Sequence, residues 1–170
     1  MEFVESGVAE VKALTIYQPW ASLSAFEEKK IETRSWHTRY RGPLAIHAAQ
    51  KYTYGTIGRL WSTSALWRNA LIKIGVNFSF GEINGVPLHH GVIIATCNLI
   101  KCLEVIEESP GSYAKLSDGT MVDGCEYEFG DYSIGRYAWI LADIRRLLEP
   151  IPAKGRQGLW NWEPPKGVMI

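Results

Sequence analysis

The chain has 170 residues, 46% of them apolar, and its 18 basic residues balance its 18 acidic ones. A mean hydropathy of −0.08 and the lack of any apolar run of about 18 residues speak against a membrane span. The acidic opening "MEFVESGVAE" lacks the basic-then-apolar order of a secretion signal.

Residues 11–163 read as one domain, between an N-terminal extension (1–10) and a short tail (164–170). "VKALTIY" has the β-branched composition of a strand. "QPW" then sets Pro19 where a helix can start, because the first turn does not need its missing N–H. In "PWASLSAFEEKK", Trp20 and Leu23 are helically spaced, and a short helix delivers the chain to Lys29. Residues 31–36 read as a strand in which Glu32, Arg34 and Trp36 share one face. "TRYRGP" is a turn, and 44–49 form a second strand. From residue 52 to 75, Leu60, Trp61, Leu66, Trp67, Ala70, Leu71 and Ile74 recur at helical intervals, giving one or two helices. "VNFSFGEINGVPLHHG" reads as a loop from its Gly, Asn and Pro content. "GVIIATCNLIKCLEVI" is long, β-branched and nearly continuous, as a central strand covered on both faces would be. Residues 104–135 read as an acidic insertion of loops and short strands. "RYAWILADIRRL" resumes the core, and "EPIPAKGRQGLWNWEPP" closes the domain with a glycine-flanked basic turn. Strands around a few helices give an α+β class, with a small mixed barrel flanked by helices as the expected architecture.

Charge is distributed unevenly along this order. Residues 29–51 hold six bases (Lys29, Lys30, Arg34, Arg39, Arg41, Lys51) against Glu32 alone. Arg145, Arg146, Lys154 and Arg156 face only Glu149, while eight acids fall within 101–131. A basic surface on a neutral protein favours an anionic partner, unless the acids fold back onto the bases. Cys97, Cys102 and Cys125 cannot all pair with one another, which fits a reducing cytoplasm. With His89 and His90 their spacing matches no zinc-ligand pattern, so no metal and no other cofactor is expected.

The succession "LTIYQPWASLSAFEEKKIETRSWHTRYRGPLAIHAA", "GVIIATCNLIKC", "YAWILADIRRL" and "PIPAKGRQGLWNW" resembles the ASCH domain family (activating signal cointegrator homology) of the PUA-like superfamily. The family's Gly-x-Lys-x-x-Glu-x-Arg run falls on Glu27, Lys29, Glu32 and Arg34, with Glu in place of Gly. The resemblance implies a PUA-like barrel with a cleft lined by the Lys-Glu-Arg trio, and binding of RNA or nucleotide-like ligands. Some small members are amidohydrolases on acetylated cytidine. The position matching their Thr nucleophile is Glu32 here, and Thr33 alternates to the other face of the strand.

The residues suit such a ligand. A carboxylate accepts from an exocyclic amine. Lys29 and Arg34 would hold phosphate or orient Glu32, and Trp20 or Trp36 would stack on a base. Gln18 adds an amide, while Arg39, Arg41, Lys154 and Arg156 would extend a backbone path. The plainer reading makes Glu32 and Arg34 a surface ion pair of about 0–1 kcal/mol, gives Trp61, Trp67, Trp139 and Trp160 to the core, and makes His47 a satisfied interior histidine. Two further readings stay open. One is a hydrolase of modified nucleosides or RNA, with Lys29 and Glu32, and less readily His47, as acid and base. The other is a protein-interaction module contacting its partner through the acidic insertion.

Overall fold

The computed structural model describes residues 11–51, 54–79, 82–85, 88–166 and 168. The expected extension, 1–10, lies outside them, as do residues 167, 169 and 170 of the tail. In chain order the elements are β1 (Val11–Ile16), α1 (Trp20–Ala25), β2 (Ile31–Arg34), β3 (Gly42–Ala48), α2 (Tyr54–Thr63), α3 (Ala65–Lys73), β4 (Val76–Ser79), β5 (Glu82–Gly85), β6 (Val92–Ser109), β7 (Tyr113–Leu116), β8 (Met121–Asp123), α4 (Gly124–Glu128), β9 (Tyr137–Pro152) and β10 (Leu159–Trp162).

The fold is mixed and dominated by its sheet. β6 is the centre, with β3 antiparallel to it on one side and β9 on the other. Its residues 93–97 are buried in an unbroken run, whereas from 102 onward only Cys102 and Val105 are buried. The apolar run therefore crosses the middle of the core, and the second half, mostly exposed or half-buried, emerges from it. Register shifts between Ile93 and Ala95, Thr96 and Asn98, and Leu99 and Lys101 curve this long strand. β3 continues to β1 in parallel, and β1 to β10 antiparallel. Leu14, Leu44, Ile46 and Leu99 are fully buried together, and each such side chain contributes about 1.5–3 kcal/mol.

The expected barrel is not closed. β9 ends on β2, β1 ends on β10, and no backbone ladder among the described residues joins β2 to β1 or β10. β2 has only four residues and pairs β9 along all of them, so its other edge stops short of β1. Arg34 spans this seam with its side chain, donating from Nη2 to the Thr15 carbonyl at 2.9 Å.

Two local expectations change, and a third gains a helix. The segment read as a loop after residue 75 contains the antiparallel pair β4–β5, whose short strands carry too little periodicity to betray it. The closing "GLWNW" is a strand, β10, held by β1. The acidic insertion builds β7, β8 and the short helix α4 on the far end of β6, around a core of Val105, Ala114, Leu116, Val122 and Tyr132.

Candidate functional site

Gln18 and Pro19 turn the chain from β1 into α1. The Gln18 amide oxygen accepts from the Ser22 N–H at 3.1 Å, and its nitrogen donates to the His89 carbonyl at 2.8 Å. Gln18 is thus a buried helix cap and is in the lining of neither the cleft beside Glu32 nor the one beside His47. After α1 the chain reverses through Glu27, whose φ of 62° is left-handed. The family's glycine would meet that conformation without strain, so the turn survives the substitution.

This turn feeds Lys29 inward. Lys29 is 1% exposed, and its ammonium donates to the Ile31 carbonyl and lies 3.5 Å from Glu32 Oε2. Arg34 Nη2 stands 3.0 Å from Glu32 Oε1. One carboxylate is therefore clamped between two cations, and Glu32 is itself buried. Two residues apart on a strand, Glu32 and Arg34 share a face as the alternation requires. Trp36 does not join them, because β2 stops at Arg34. Its ring, partly buried, packs edge-on against the core residue Trp139 at 4.6 Å.

Sequence reading overlooked Glu126, a residue of α4 that reaches back across the fold. Its two carboxylate oxygens accept from the Lys30 and Ile31 N–H groups at 2.5 and 2.9 Å. Burial holds its carboxyl above the ordinary range, while the nearby Lys29 charge and these two bonds pull the other way. Tyr132 lies beside the same group. Burial, then the Glu126 and Glu32 charges, push its hydroxyl well above its usual value. The insertion therefore braces the Lys29–Glu32–Arg34 trio. Only its position after the β8 turn and its acidic composition could have drawn notice to Glu126.

A cleft of about 460 Å³ opens where the sheet fails to close. Ile16 and Tyr17 line it from the end of β1, Trp20 from α1, and Glu32, Thr33 and Arg34 from β2. Trp67 and Phe129 complete an aromatic wall, with ring centroids 5.8 Å (Trp20–Trp67) and 4.5 Å (Trp67–Phe129) apart. Glu128 and Asp131 stand at its rim, so acids outnumber the one base, Arg34.

A second, wider cleft of about 830 Å³ is lined by Thr15, Tyr17, His47, Lys51, Lys154, Arg156 and neighbours. His47 is 1% exposed; its Nε2 meets the Ala153 carbonyl at 2.9 Å, and its buried Nδ1 has no partner. Burial lowers its pKa, outweighing the bond to Ala153, which keeps the ring neutral with Nε2 as donor. Gly155 lies directly on this ring: a Cβ there would fall 2.4 Å from His47 Cε1. Lys154 and Arg156 flank it, exposed. Arg39 and Arg41 border neither cleft; Arg41 instead donates to the carbonyls of Thr38 and Tyr40.

Among the described residues, no group of three or more His, Cys, Asp and Glu could hold a metal ion, and no helix is long and apolar enough to cross a membrane.

The sequence profile described as "ASCH domain" matches residues 14–151. Over 151 residues, or 87% of this chain, it is 36% identical to human Activating signal cointegrator 1 (Homo sapiens) and 26% identical to the mouse protein of that name (Mus musculus). The match covers 22% of each relative, so the chain spans about a fifth of the curated proteins it resembles. A profile match across most of the sequence, including both edges of the cleft, makes this chain a member of the ASCH domain family.

Proposed function

We propose that the chain binds RNA or single-stranded nucleic acid, reading a base in the cleft beside Glu32. The observation that carries this reading is the Glu32 carboxylate held by Lys29 and Arg34 in the lining of an aromatic-walled cleft. An immobilised carboxylate is an acceptor for a base amino group, and Trp20 offers a stacking wall. Because Lys29 is buried and Arg34 is shared between Glu32 and Thr15, both serve Glu32 as orienting groups. Family membership agrees with a nucleotide-like ligand.

The test is a fluorescence titration with short single-stranded RNA and DNA at two salt concentrations, comparing wild type with Glu32→Gln at a temperature where circular dichroism shows the variant folded, because the change leaves the buried Lys29 without its carboxylate. Mass spectrometry would then examine the oligonucleotides. Salt-dependent binding that Glu32→Gln weakens, with intact oligonucleotide, supports the reading. Absence of binding to either polymer overturns it. A shortened or deacylated product that disappears in Glu32→Gln replaces it with the hydrolase reading.

A further inference from the structure

The two clefts share one wall. Tyr17 lines both and is 53% exposed, although it directly follows a buried strand. Thr15, two residues earlier, ties the clefts together through its own atoms. Its carbonyl accepts from Arg34 Nη2 at 2.9 Å in the first, and its hydroxyl donates to the Arg156 carbonyl at 3.0 Å in the second.

Their charges are opposite. The first cleft sets Glu32, Glu128 and Asp131 against Arg34. The second has Lys51, Lys154 and Arg156 with no acid in its lining, and none of these three bases has an ion pair among the described residues. An acidic cleft repels phosphate and accepts from base amino groups; a basic one does the reverse. The second cleft also contains a buried acceptor without a partner, His47 Nδ1. Gly155 covers that atom, so the charged contacts this cleft offers a ligand are the exposed Lys51, Lys154 and Arg156.

We infer that the clefts are two subsites of one strand-binding site: a base enters beside Glu32, the sugar–phosphate runs over Lys51, Lys154 and Arg156, and Tyr17 is the ridge on which the adjoining base stacks. This rests on the nucleic-acid reading above and makes the ligand a strand of at least two nucleotides. Tyr17 is then a binding residue, and Gly155 a positioning residue that lets the basic loop lie down on His47.

Anisotropy of a labelled single-stranded octanucleotide tests it with the full chain. Stacking predicts that Tyr17→Ala binds roughly 5- to 150-fold more weakly, while Tyr17→Phe stays near wild type. Arg156→Ala lowers the salt slope by about 0.7. Because Tyr17 is exposed, thermal unfolding of Tyr17→Ala should match wild type. Competition by free nucleosides should be far weaker than by a dinucleotide. If Tyr17→Ala binds as wild type does while Glu32→Gln is impaired, the shared ridge is wrong and the base-reading cleft stands. A nucleoside that competes as well as the oligonucleotide also overturns the two-subsite inference. If wild type binds no strand, both readings fall.

Discussion

Lys29 Nζ stands 3.5 Å from Glu32 Oε2 with the lysine 1% exposed and the glutamate side chain 10% exposed. Such a pair differs in kind from a surface bridge. When Lys29 is removed Glu32 keeps Arg34 at 3.0 Å, so the cost is that of deleting a long buried side chain, about 2–5 kcal/mol, rather than of an uncompensated charge. Lys29→Ala should lower stability by about that amount in urea unfolding, and any loss of binding in that variant would follow from the fold. Lys30→Ala, one residue away and exposed in a pair with Glu27, should change stability by less than about 1 kcal/mol.

Glu126 makes the second prediction. Its carboxylate takes both the Lys30 and Ile31 N–H groups, and two donors left unsatisfied would cost about 1–3 kcal/mol each. Glu126→Ala should therefore destabilise by at least about 1 kcal/mol. It should also accelerate hydrogen exchange at the Lys30 and Ile31 amides far more than at those of β3, a local signature that a general loss of stability would not give.

At Glu27 the direction is opposite. A residue with a side chain held at φ 62° carries about 1–2 kcal/mol of strain that glycine escapes, partly offset by glycine's greater freedom in the unfolded chain. Its ion pair with Lys30 is more than half exposed on both sides and contributes little. Glu27→Gly should raise the urea midpoint, with a gain of about 0.5–1 kcal/mol.

His47 supplies a pH dependence. Its folded pKa lies below the ordinary 6.5 because burial disfavours the imidazolium. The unfolded chain therefore takes up the proton first as pH falls. The stability contribution is fully present above about pH 6.5 and is lost as pH falls toward the lowered folded value. Unfolding midpoints measured from pH 7.5 to 5 should fall for wild type. His47→Asn, which keeps a donor, should show a shallower fall whatever its midpoint at pH 7.5.

The most regular parts of the chain were legible from residue types alone. The β-branched run in β6 announces a strand covered on both faces, and the tryptophan and leucine spacing announces α2 and α3. The Lys-x-x-Glu-x-Arg spacing places Glu32 and Arg34 on one face, and they do meet. These are local consequences of periodicity, and they hold wherever an element is long enough to repeat.

Trp36, Gln18 and Glu126 show where local reading stops. Alternation extended two residues too far puts Trp36 beside Glu32, whereas the strand's end turns it onto Trp139. Gln18 has a ligand-binding residue's chemistry, but helix α1 consumes it as a cap. Glu126 is 94 residues from Glu32 in sequence and faces the same lysine. By itself the sequence determined the central strand and the shared face of Glu32 and Arg34, because each depends on neighbours within one element, and the succession of such elements gave the mixed class of fold. Only the tertiary structure decided that the sheet stays open beside β2, that Lys29 is interior, and that two clefts of opposite charge meet at Tyr17. Those outcomes depend on which distant backbone edges and carboxylates come into contact, and no periodicity along the chain encodes that.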